Sequence, residues 1–91
     1  MDVRHEPENN RFVVAVDAAL AVLEYAVIDD DTLEYNHTFV PPALRGQGIA
    51  SKLTEHALQY ALDNELAVVP TCPFVAAFIR SNPKYRKLVK S

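Results

Sequence analysis

The two glycines of the chain stand one residue apart, Gly46 and Gly48, in the stretch Val40-Pro41-Pro42-Ala43-Leu44-Arg45-Gly46-Gln47-Gly48-Ile49-Ala50-Ser51-Lys52-Leu53. Glycine lets a backbone turn sharply and come close to a ligand. Where a helix follows such a loop, the loop amides join the unpaired N–H donors of the first helical turn. Donors gathered at the positive end of a helix dipole bind anions, phosphates above all. The charge pattern agrees: of the 12 acidic residues none lies between Tyr35 and Thr54, whereas Arg45 and Lys52 do. Two common phosphate loops are excluded by spacing. There is no G-x-x-x-x-G-K-[ST], and Ser51 stands where the third glycine of G-x-G-x-x-G is needed. The bland alternative is a plain strand-to-helix connector. Three other side chains have the chemistry to move protons or attack an electrophile: His37, Cys72 and Tyr85.

The elements that position these groups can be read from periodicity. Arg11 to Val16 is β-branched and aromatic, Asp17-Ala18-Ala19 is a tight connection, and Leu20 to Ile28 completes a hairpin. Asp29-Asp30-Asp31 reads as a solvated turn rather than a calcium loop, which needs a different ligand spacing and a glycine. From Thr32 to Val40, alternation places Leu33, Tyr35, His37 and Phe39 on one face and Glu34, Asn36 and Thr38 on the other. Pro41-Pro42 ends that strand. Ile49, Leu53, Ala57, Tyr60 and Ala61 then recur at helical spacing within Gly48 to Asn64. Ala67 to Pro70 is a short apolar run, the pattern of a buried strand parallel to the third and reached by a right-handed crossover. Pro73 opens a last helix that Pro83 closes, and Phe74 and Phe78 are expected to bury it in the core. The class is α+β, in the order β-β-β-α-β-α: an antiparallel three-stranded meander, a crossover helix, a fourth strand parallel to the third and a C-terminal helix.

Ninety-one residues with 49% hydrophobic content allow one core, so residues 11–91 are expected as a single domain, after a flexible polar N-terminus at residues 1–10. A net charge of −3 and a pI near 5.5 argue against nucleic acid as a partner. No apolar run approaches the roughly 20 residues that span a bilayer, which argues against a membrane-embedded protein. The polar start and single cysteine point to the cytoplasm. His5 and His56 show no ligand spacing to each other or to Cys72, so no metal is expected.

Arg45-x-x-Gly48-x-Ala50 matches the [QR]-x-x-G-x-[GA] signature of the GNAT acetyltransferase superfamily. His37-Thr38-Phe39-Val40-Pro41 with Leu44 to Ala50, then Val69 to Val75 and Asn82-Pro83-Lys84-Tyr85, resembles its minimal subfamily, and the likeness covers Phe12 to Val89. The resemblance implies transfer of an acetyl group from acetyl-CoA to a primary amine of a small molecule or protein. It implies that Arg45, Gly46, Gln47, Gly48, Ile49 and Ala50 receive the CoA pyrophosphate on their amides, and that the Val40 N–H polarises the thioester carbonyl. The third and fourth strands splay to admit the pantetheine arm, and Pro70 then sits where its missing N–H has no partner to lose. For the chemistry, His37 either draws a proton from the amine or packs at the sheet surface. Cys72, beside a helix N-terminus, either protonates the leaving thiolate, carries the acetyl group, or is a small buried hydrophobe. Tyr85 either supplies the thiolate's proton or anchors packing. Many relatives carry an acidic residue where this chain has Phe39, and that departure leaves a CoA-binding or regulatory module without turnover as the alternative. The sequence does not reveal the oligomeric state.

Overall fold

The computed structural model describes residues 2–90. Five strands form one sheet in sequence order: β1 (Arg4–Glu6), β2 (Arg11–Val16), β3 (Ala19–Asp29), β4 (Thr32–Phe39) and β5 (Ala67–Pro70). Each of the first four is antiparallel to its neighbours among them, and β5 runs parallel to β4. Helix α1 (Ile49–Asp63) makes the crossover between β4 and β5, and α2 (Pro73–Ser81) follows β5. This is the expected α+β, GNAT-like arrangement with one more strand. Among the described residues no helix is long and apolar enough to cross a membrane.

Polarity alone predicts a frayed end at residues 1–10, yet Arg4–Glu6 pairs with β2. The cause is His5, which has an aromatic face that the periodicity of a polar segment does not register. Its ring stacks on Phe12 with centroids 4.2 Å apart, meets the edge of Tyr60 at 4.5 Å, and its Nε2 lies 2.6 Å from the Tyr25 hydroxyl. Asn10, in the left-handed region at φ 51°, turns the chain back into β2, and Arg11 Nε donates to Glu6 at 2.7 Å across the turn.

Burial holds the His5 imidazole below its ordinary basicity; the charge of His56 adds to this and Glu8 opposes it. Folded His5 therefore takes up a proton less readily than unfolded His5. Below the ordinary value of 6.5 the unfolded chain binds more protons, and stability falls as pH falls. The Tm of the wild type should drop from about pH 7 to about pH 5 more steeply than that of His5→Gln. Parallel Tm curves for the two proteins would show that His5 does not contribute.

One face of the sheet carries the core. Phe12, Val14, Ala21, Leu23, Tyr25, Leu33 and Tyr35 pack beneath Ile49, Leu53, Ala57, Leu58 and Ala61 of α1, with Val75 and Ile79 of α2 joining the same cluster. Tyr35 is fully buried and its hydroxyl donates to the Ala57 carbonyl at 2.6 Å. Burial raises its phenol far above the ordinary range, so it remains a donor. Tyr35→Phe keeps the ring and loses the bond. We expect a cost of about 1 kcal/mol, read as a Tm about 4–8 °C lower for a chain of this size. An unchanged Tm would mean the bond is neutral.

Candidate active site

An irregularity in β4 arranges the site. Tyr35 stands opposite Tyr25, but His37 stands opposite Glu24, so Asn36 is an extra residue, a β-bulge. The bulge corrects the expected alternation. Leu33 and Tyr35 are buried on the helix side, whereas His37 and Phe39 pair with Glu24 and Val22 on the opposite face and are exposed. Thr38, expected away from Tyr35, instead turns to the helix side, where its Oγ1 lies 3.5 Å from Cys72 Sγ.

The bulge also redirects the backbone. The Tyr25 amide donates to the Asn10 carbonyl on the β2 side. Alternation along β3 then points the Tyr25 and Leu23 peptide groups away from β4. Their partners Tyr35 and Thr38 point theirs away from β3, toward β5. The Tyr35 carbonyl accepts the Cys72 amide at 3.0 Å. Beyond that bond β5 has ended and the chain turns into α2, so the amides of Thr38 and, by alternation, Val40 face a gap.

Pro70 fits for a reason other than the splay. Ala67 N donates to Asp31 O at 2.7 Å, so alternation turns Val68 and Pro70 outward, where Val68 O accepts from Lys90 N at 2.9 Å. The amide that proline lacks would have faced the sheet's outer edge.

At the end of β4, Pro42–Leu44 forms a single 3₁₀ turn and the glycine loop follows. Arg45 Nε donates to the Val40 carbonyl at 2.9 Å, tying the loop's entry to the strand end. Gly46 and Gly48 lie at φ 82° and 74°, and a Cβ built on either meets nothing within 4 Å. Gly48 caps α1, whose first bond runs from Lys52 N to Gly48 O at 3.1 Å. The Arg45 amide is occupied, donating to Pro42 O at 3.3 Å, which removes it from the expected anion ligands. The amides of Gly46, Gln47, Gly48, Ile49, Ala50 and Ser51 have no acceptor among the described residues. All of these residues except Gln47 border a cleft of about 210 Å³ that Val40, Leu44 and Phe74 also line. Phe74 corrects the sequence expectation: it is 40% exposed, a wall of this cleft rather than a core residue. Phe78 is partly buried against the core and stacks on Tyr85.

The candidate side chains are thus sorted by the fold. Cys72, 5% exposed, is the N-cap residue of α2 and stands beside Thr38. His37 is on the opposite face of the sheet. Tyr85 is buried, lies 3.4 Å from Gln59 Oε1 on α1, and lines a separate cavity of about 590 Å³ with Lys52, His56 and Lys84. Strict alternation hides Thr38 and Glu24, since only the cross-strand count reveals the bulge. For Phe74 the only sign is its place one residue after Pro73, at the open start of a helix.

Residues 11–88 match a family model described as GCN5-related N-acetyl-transferase. Protein NATD1 of Xenopus tropicalis is 31% identical over 83 residues, which cover 89% of this chain and 76% of that protein. Protein NATD1 of Bos taurus is 32% identical over 83 residues, covering 89% and 74%. The NMR solution structure of a GCN5-like protein from Staphylococcus aureus superimposes with a TM-score of 0.76 at 25% identity, covering 99% of this chain and 88% of that one.

Proposed function

Since the chain belongs to the GCN5-related N-acetyltransferase family, we propose that its acyl donor is acetyl-CoA and its acceptor a primary amine. The observation that carries the donor assignment is the run of unpaired amides from Gly46 to Ser51 at the start of α1, opening on space that no Cβ fills. A pyrophosphate needs several N–H donors, an uncancelled helix dipole and room for close approach; the unpaired amides, the absence of acidic residues between Tyr35 and Thr54 and the open space at both glycines support that reading. Val40 and Phe74 provide apolar walls beside it. The gap-facing amides of Thr38 and Val40 are suited to an extended amide-bearing chain, which would bond to them as an added strand does.

Acetyl-CoA supplies an acyl group on a thiol leaving group; the protein has to orient it, polarise its carbonyl and manage protons. Of the candidate groups, Cys72 is the best placed to meet the sulfur end. It stands where β5 leaves β4, across from the gap-facing backbone of Thr38. Tyr85, tied to Gln59 in another cavity, serves as a packing anchor. His37 belongs to the amine side.

The test is to incubate the protein with acetyl-CoA and a panel of primary amines while following free thiol, together with melting curves in the presence of CoA. Amine-dependent thiol release and a higher Tm are expected. A Tm rise without turnover on any amine would instead indicate a binding module, and no Tm rise would remove the donor assignment.

A further inference from the structure

Both helices pack on one face of the sheet, and no described helix covers the other. On that open face the bulge at Asn36 sets Glu24 and His37 side by side as a cross-strand pair, both exposed. Directly opposed residues have Cβ atoms about 4.5–5.5 Å apart, close enough for one small group to touch both side chains.

Glu24 is also left without a partner. Its neighbour on the other side is Arg11, but Arg11 Nε is held by Glu6 at 2.7 Å, and neither the Glu24 nor the His37 side chain has a hydrogen bond or ion pair among the described residues. Glu34 lies on the same face and accepts the Thr71 hydroxyl at 2.7 Å, adding a second carboxylate. Phe39, 44% exposed, continues that face two residues beyond His37, over its cross-strand partner Val22, which is buried. A carboxylate, an imidazole and then an exposed phenyl ring describe a receptor for an ammonium group on an alkyl stem.

We propose that Glu24 is the specificity residue for the acceptor, binding a protonated primary amine on an unbranched alkyl chain beside His37, with the stem along the exposed ring of Phe39. This rests on the acetyl-transfer reading above. The next residue after His37, Thr38, faces the gap and touches Cys72 on the other face of the sheet, so the amine held at His37 would meet the acyl end of the donor through the opening between β4 and β5. In the reaction the ammonium gives one proton to the His37 imidazole, which passes it to solvent. The freed lone pair forms the N–C bond to the acetyl carbon. The C–S bond then breaks with its electrons on sulfur, and the nitrogen's second proton balances the thiolate. The products are the amide, free thiol and one released proton.

The experiment compares the wild type, Glu24→Gln and Glu24→Asp with two acceptors: 1,4-diaminobutane, cationic at neutral pH, and an arylamine, which is neutral there. For Glu24→Gln the KM of the diamine should rise roughly tenfold with kcat little changed, while the arylamine's KM stays put. Glu24→Asp should recover part of the loss. Backbone NMR of the free protein titrated with 1,4-diaminobutane should show shifts at Glu24, His37 and Phe39 that vanish in Glu24→Gln. An unchanged diamine KM, an equal rise for both amines, or shifts located elsewhere would overturn the assignment. Failure of the donor reading has a different signature: acetyl-CoA would not raise the Tm of any of the three proteins.

Discussion

Gly48→Val is expected to lower CoA affinity by roughly a hundredfold or more, the loss that follows when several charge-assisted amide bonds are broken together. Two effects combine. Gly48 sits at φ 74°, a region that a β-branched residue enters only with strain of about 1–3 kcal/mol, so the chain relaxes by turning its amides. Gly48 lines the cleft beside the unpaired amides and a Cβ there meets no protein atom within 4 Å, so an added side chain would compete with the anion for that space. The crowding therefore falls on the ligand and not on the core. Gly48→Ala carries the strain with the least bulk and should show a smaller loss. Calorimetric titration with CoA checks both, and melting curves without ligand separate lost stability from lost affinity. Wild-type affinity in Gly48→Val would show that the loop amides do not hold the nucleotide.

Cys72→Ala should reduce kcat for amine acetylation by about a hundredfold or more, the usual scale for removing a proton-transfer group. The thiol is nearly buried beside Thr38 Oγ1, at the point where β5 leaves β4. Cys72→Ser distinguishes its two chemical roles. A hydroxyl can still donate a proton and should recover part of the rate, whereas a cysteine that carries the acetyl group leaves an acetyl adduct on the wild type, visible by intact mass after rapid quenching. Thr38→Val, which keeps the shape and removes the oxygen, should cost less than Cys72→Ala. Wild-type kcat in Cys72→Ala, with its Tm confirming a folded protein, would assign Cys72 to packing alone.

Much of this protein was legible in its residues because the relevant signals are local. β-branched and aromatic composition at Arg11 to Val16, a continuous apolar run at Ala67 to Pro70, helical spacing from Ile49, and proline stops at Pro41, Pro42 and Pro83 locate elements without knowledge of their neighbours. The donor loop is local as well. Two glycines, a helix start and a stretch free of acidic residues lie within a few positions, and their function depends on backbone amides rather than on a distant side chain.

What tertiary structure alone decided depends on registration between strands. Whether His37 faces α1 or the open sheet face turns on one extra residue, Asn36, and a shift of one residue reverses every side chain beyond it. The same shift brings Thr38 to Cys72, separates both from His37, and gives Glu24 its place beside the imidazole. Polar residues 4–6 became a strand because His5 found Phe12 and Tyr25 across the sheet, and Phe74 became a cleft wall because α2 starts beside the glycine loop. Side-chain periodicity is a property of one segment, whereas pairing register is set by the packing of several, so the backbone donor site could be read from the chain and the reacting side chains only from the fold.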